Sequence, residues 1–241
     1  MIDAPAAGIS FDIIAAHTPW VQTLSGAAVD LIQPDPETID FVNDIAPQLA
    51  IIPRFNGAAG NWFVSDHLVA GCCTLMSQHL SNKRLAAWWL LHDAHEAYIG
   101  DIITPVARAL EAHATAEFAD KAGYTPALYI KAAIASLKKT LDIAIHRAAG
   151  VPLPDKESVE IIRRHNLAMM MTERNHLMSP SPRSWGALEN IPPLRTNGAL
   201  KSTGKTAAAR ADLYLRALQI YCPQALRRDE VFSIPAEQER R

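Results

Sequence analysis

One stretch constrains the fold more than any other: residues 88–101, which read WWLLHDAHEAYIGD. Leu85, Trp88, Trp89 and His92 recur at i, i+3, i+4 and i+7, a single stripe of a 3.6-residue period. The spacing predicts a helix that turns His92 toward a core. Asp93 adjoins it, and Glu96 follows four residues after His92 and three after Asp93, on the same surface. An imidazole and two carboxylates on a buried stripe are costly unless something compensates them. A divalent cation would.

The same periodicity runs through most of the chain. Residues 38–49 read as a helix with acidic residues near its start. Ser65 or Asp66 is placed to cap a helix running to about residue 79, with His67 in its first turn and Leu68, Cys72, Leu75, Met76 and His79 on its apolar face. The central helix spans about 82–98. Gly100 ends it, and Thr104-Pro105 opens another over 106–122. Further helices are expected at 128–149, 158–178 and 206–221. Residues 1–16 read as an arm or a short helix, and residues 20–31 as a pair of short strands or an irregular segment. Residues 179–197, with Pro180, Pro182, Pro192 and Pro193, form a loop. Evenly spaced strands for a central sheet are missing. The expected class is all-α: a helical bundle behind an irregular N-terminal segment with room for short strands. Residues 1–60 would pack on the core, 61–222 form the main domain and 223–241 a charged tail.

Length and charge narrow the function. A chain of 241 residues can bury one sizeable core. A formal net charge of −2 gives no long-range attraction for a nucleic acid polymer or an anionic membrane. The three cysteines form no CxxC, and adjacent Cys72 and Cys73 read as packing residues. A reducing cytoplasm is the expected compartment. There is no apolar run long enough to span a bilayer, and no basic n-region followed by an apolar segment.

Several residues carry two readings. Arg54, in the turn-rich PRFNGAAG loop, is by default a solvated surface group; its functional reading is a phosphate clamp, because the guanidinium fork matches phosphate oxygens. His67 is by default a satisfied structural histidine. The methionines of 158–178 are core filler rather than a cofactor box. KSTGKT at 201–206 ends like a phosphate-binding loop, but five residues rather than four separate Gly198 from Gly204, so it reads as a flexible basic loop.

Taken together, WVQTLSG, VDLIQPDPETI, DIAPQLAIIPRFNG, WFVSDHL, LLHDAHEAYIGDI, LDIAIHRAAG and TERNHLM resemble the HD superfamily of metal-dependent phosphohydrolases, in a bacterial and phage branch related to 5′-deoxynucleotidases. The resemblance covers about residues 20–178, with a weaker echo at 211–221. It implies an HD-domain helical bundle that binds one divalent metal ion (Mn, Co, Fe, Ni, Zn or Mg) and hydrolyses a small phosphorylated compound, a nucleotide above all. His67 matches the first metal-ligand histidine, and His92 and Asp93 the pair that names the superfamily. Glu96 matches the carboxylate that orients or deprotonates the attacking water. Asp101 matches a second acidic residue beside the phosphate, and Arg54 the arginine that holds it. A homodimer is implied by the same analogy.

Two positions depart from the pattern. The family's fourth ligand is an aspartate seven residues before the Glu of TERNHLM; here that Glu is Glu173 and the residue is Asn166. Asn offers a carbonyl oxygen without charge, so metal affinity should fall. Neighbouring His165 could enter the shell instead, and Asp142 ranks below Asn166. At position 95 the family has a small residue and this chain has His95. It reads as a ligand, as a substrate-binding group or general acid for the leaving group, or as a partly exposed residue. A second function therefore stands beside hydrolysis: a degenerate HD domain that binds a nucleotide or a partner without cleaving it.

Overall fold

The computed structural model describes residues 18–79, 82–122, 125–196, 198, 200 and 206–227. The expected arm at 1–16, nearly all of the KSTGKT loop and most of the charged tail lie outside them. The described part is predominantly helical, with one two-stranded sheet. Strands β1 (Trp20–Gln22) and β2 (Ala28–Asp30) pair antiparallel, Val21 facing Val29, around a turn in which Gly26 takes φ 88°. Of the two readings of residues 20–31, this is the pair of strands.

The expected helix over 38–49 is corrected. A 3₁₀ turn at Pro36–Thr38 and a π-helical turn at Phe41–Ile45 precede α1 (Ala46–Leu49). The break has a cause: Asp40 is extended, and its Oδ1 accepts from the Val42 and Asn43 amides at 2.9 Å each, so the helix starts after it.

Helix α2 (Val64–Gln78) has its cap position at Phe63, two residues before Ser65 and three before Asp66. Neither Ser65 nor Asp66 occupies the cap position; both lie inside the first turn. Asp66 reaches back to the Phe63 amide at 3.3 Å and takes a buried ion pair from Arg210 at 3.0 Å.

The central helix is corrected too. It is α3 (Lys83–Leu91), a turn at residues 92–95, then α4 (Glu96–Ile99). Across the turn the amides of His92, Ala94 and Glu96 bond three residues back, to Trp89, Leu91 and Asp93. The ring of His92 also donates to the Trp89 carbonyl, at 2.6 Å. A side chain that takes an i−3 carbonyl tightens the local winding.

Helices α5 (Thr104–Ala122) and α6 (Pro126–Ala148) pack chiefly on one another. Helix α7 (Lys156–Leu177), capped by Asp155, crosses α2 and α3; α8 (Ala207–Tyr221), capped by Thr206, packs on α1, α2 and α3. Every residue of α3 from Leu85 to Leu91 is buried, as expected of a helix apolar all round and enclosed by others. Val29, Phe41, Ile45 and Leu49 of the N-terminal segment join the same core. Cys72 and Cys222 are buried, Cys73 is exposed, and all three are free. Among the described residues no helix is long and apolar enough to cross a membrane.

Candidate metal centre

The site is built around Trp89. Its ring is fully buried, and its indole N–H donates to the Leu68 carbonyl at 2.8 Å. Three imidazoles pack on it: His67, His92 and His165, with ring centroids 5.2, 4.4 and 4.8 Å away. Gly71 makes this possible, because a Cβ there would lie 2.0 Å from Trp89 Cζ2.

Each histidine's second bond fixes its tautomer. His67 Nδ1 lies 2.7 Å from Glu173 Oε1. Glu173 is fully buried and also accepts from Trp62 Nε1 at 2.9 Å and Arg54 Nη2 at 3.3 Å. Burial opposes its ionisation, but His67 and Arg54 outweigh that and hold its carboxyl down at about 2. An ionised carboxylate only accepts, so His67 carries its proton on Nδ1 and Nε2 has the free lone pair. Burial keeps His67 neutral by lowering its pKa. His92 repeats the pattern: the Trp89 carbonyl accepts from Nδ1, leaving Nε2. His95 Nδ1 donates to Asp142 Oδ1 at 2.8 Å, again leaving Nε2.

All three Nε2 atoms are buried without a hydrogen-bond partner among the described residues. His92 Nε2 stands 3.1 Å from Asp93 Oδ2, and His67 Nε2 3.8 Å from the same oxygen. A neutral ring would set its lone pair against the carboxylate's. A proton on Nε2 relieves that, and although burial resists it, Asp93 raises the pKa of His92. A cation between the atoms relieves it equally and would satisfy His67 as well. His67, His92 and Asp93 present ligand atoms within 4.8 Å of one another, and so do Asp93, His95 and Glu96. This buried group of imidazoles and carboxylates is able to hold a metal ion.

The acidic side of the site is under-compensated. Burial, then Asp93 and Asp101, push the Glu96 carboxyl well above the usual range. Asp101 is raised by burial, with Arg54 and Lys138 opposing. Asp93 is held well below the usual range; burial resists this, but His92, His67 and Arg54 prevail. Arg54 is not a solvated surface residue: it is 8% exposed, bonded to Glu173 and 3.9 Å from Asp93 Oδ2, and its guanidinium stays charged. The strained turn after it, with Phe55 and Asn56 at φ 54° and 52°, and a bridge between Pro53 and Phe63 hold it inward.

Two expectations change. His165 does not turn toward the cluster: its Nε2 lies 3.0 Å from both the Gly71 carbonyl and Thr74 Oγ1. The carbonyl only accepts, so Nε2 carries the proton and cannot ligate. His95 is not partly exposed but 4% exposed, and Asp142 is its partner. Asn166 lies two turns before Glu173 on the same face of α7, with Oδ1 buried and unpartnered among the described residues.

In the sequence Glu173 marks the register of Asn166, yet a carboxylate on the apolar stripe of α7 is the same signal as His92 on α3. Lys138, one turn before Asp142, looks in the sequence like any solvated helix lysine, but its charge acts on Glu96 and Asp101. A surface groove of about 790 Å³, lined by Asp40, Phe41, Asp44, Ala148 and Leu226 among others, includes none of the clustered residues.

No protein-family model matches the chain. It is 39% identical over 97 residues, 38% of its length, to an uncharacterized protein of Rhodobacter capsulatus, of which it spans about half, 48%. Over 152 residues, 63% of this chain and 68% of the other, it is 29% identical to the uncharacterized protein YfdR of Escherichia coli K12.

Proposed function

We propose that the protein is a metal-dependent phosphohydrolase of HD type, acting on a small phosphorylated compound, with a nucleotide as the substrate class. One observation carries this reading. Three imidazoles around Asp93, His67 and His95 buried and His92 half-buried, have their Nδ1 atoms committed and their buried Nε2 atoms unpartnered among the described residues. His67, His92 and Asp93 would hold a divalent ion, with Asn166 Oδ1 as a neutral fourth donor. Bound there, such an ion supplies positive charge to phosphate oxygens and acidifies water.

The chain's own groups divide the remaining work. Glu96, a buried carboxyl that binds protons more tightly than usual, is suited to take one from the attacking water. Arg54 offsets charge on the non-bridging oxygens, tethered by Glu173 rather than free to swing. Asp101 borders the phosphate. His95, held by Asp142, stands in the same cluster beside Asp93 and Glu96.

The test is phosphate release from a nucleotide panel with Mn, Co, Mg and Zn in turn. Release with at least one metal, lost in His92→Gln, is expected; a folded protein that releases none with any metal overturns the proposal. The second reading, nucleotide or partner binding without hydrolysis, is favoured by Asn166, which leaves the set one negative charge short. Metal analysis separates the two: purified protein without metal and without metal-dependent stabilisation speaks for it.

A further inference from the structure

We infer that this chain has a second cation position, formed by Asp93, His95 and Glu96. It rests on the metal reading above only through the shared Asp93. The three side chains are 9, 4 and 3% exposed, and their ligand atoms lie within 4.8 Å of one another. Two atoms of the set are buried without partners among the described residues, His95 Nε2 and Glu96 Oε2.

The imidazole is prepared for the task. Asp142 accepts from Nδ1–H at 2.8 Å, so the Nε2 lone pair is the free one, and the ring is held by a carboxylate from a different helix. The same arrangement, a carboxylate behind a ligating histidine, recurs at His67 with Glu173. It is not inherited from the pattern this chain resembles, which has a small residue at position 95.

Charge argues the same way. Asp93, Glu96 and Asp101 converge, while Arg54 is already bonded to Glu173. One ion held by His67 and His92 neutralises Asp93 and leaves Glu96 buried beside it. An ion shared between Asp93 and Glu96 removes that repulsion. Asp93 has two carboxylate oxygens and is able to serve both positions, and a Glu96 that binds through Oε2 keeps its other oxygen to accept from water. One nitrogen and carboxylate oxygens suit Mn, Fe, Co or Zn.

Manganese is the probe. Equilibrium dialysis of the full chain against Mn²⁺ should give two ions per chain, and low-temperature paramagnetic resonance a spin-coupled pair bridged by Asp93. His95→Gln should bind one ion with an isolated-ion spectrum, and Glu96→Gln, which keeps shape and loses charge, should do the same. If His95→Gln does not fold, Glu96→Gln alone decides. One ion in the wild type, lost in His92→Gln and retained in His95→Gln, overturns the second position and leaves the first intact. One ion lost in His95→Gln and retained in His92→Gln supports the position inferred here and overturns the first. Two ions that survive both His95→Gln and Glu96→Gln overturn it.

Discussion

Single contacts at this site each serve several neighbours. Glu173 receives Trp62, His67 and Arg54 at once, and all four groups are buried. Removing its charge leaves Arg54 without its closest partner. Glu173→Gln should destabilise the fold by about 3 kcal/mol, in the range for breaking a buried pair, and weaken manganese binding roughly 10–100-fold by loosening His67. Urea unfolding and metal titration read the two effects separately. Gly71 works through space rather than charge. Gly71→Ala places a methyl against Trp89, which is enclosed and cannot swing away, so a loss of about 1–3 kcal/mol is expected in the same unfolding assay. Asn166→Asp restores a charge to the proposed ligand set and should tighten metal binding by direct titration.

At the level of elements, the turn at 92–95 decides what the site can do. A continuous helix would put His92 and Glu96 one above the other and turn His95 away from them. With the tightened turn, Asp93 is common to two groups, one with His67 and His92 and one with His95 and Glu96. The turn and α4 end at Gly100, whose φ of 74° and ψ of 170° are open essentially to glycine alone. A Cβ there meets nothing within 4 Å, so Gly100→Ala acts through backbone strain. It should cost about 1–3 kcal/mol and displace Asp101, lowering any phosphate release more than it lowers metal binding. Equal losses in both would show that Asp101 is not singled out. The helical periodicity of 82–98 was readable from sequence, whereas its interruption was not. The ring of His92 takes a carbonyl three residues back, and such a bond leaves no trace in hydrophobic spacing.

Across the molecule, burial of neutral histidines couples folding to pH. Burial lowers the His165 pKa from 6.5 to about 4, its bond to Gly71 opposing and the nearby histidines adding to the shift. The unfolded chain takes up this proton as pH falls through about 6.5, while the fold refuses it until about 4. The stabilisation is therefore complete above about pH 6.5 and disappears between there and about pH 4, amounting to about 3 kcal/mol for this group. His67 and His146, also lowered by burial, add to the loss in the same direction. Urea unfolding near pH 7 and near pH 4 should show a smaller difference in His165→Gln than in the wild type. An equal difference would mean that His165 titrates normally in the fold.

The sequence by itself determined the class of the molecule and the residue types of its site. Apolar stripes at helical spacing specify helices wherever they run uninterrupted, as in α3, α6 and α7. Polar groups on such a stripe must meet a compensating partner, which is why His92, Asp93 and Glu96 stood out. Only the tertiary structure decided how those partners are assigned. That Glu173 belongs to His67, Asp142 to His95 and Gly71 to His165 depends on contacts between residues 47 to 106 positions apart in the chain. Such pairings are set by which helices pack together and at what height, and local periodicity carries no information about either.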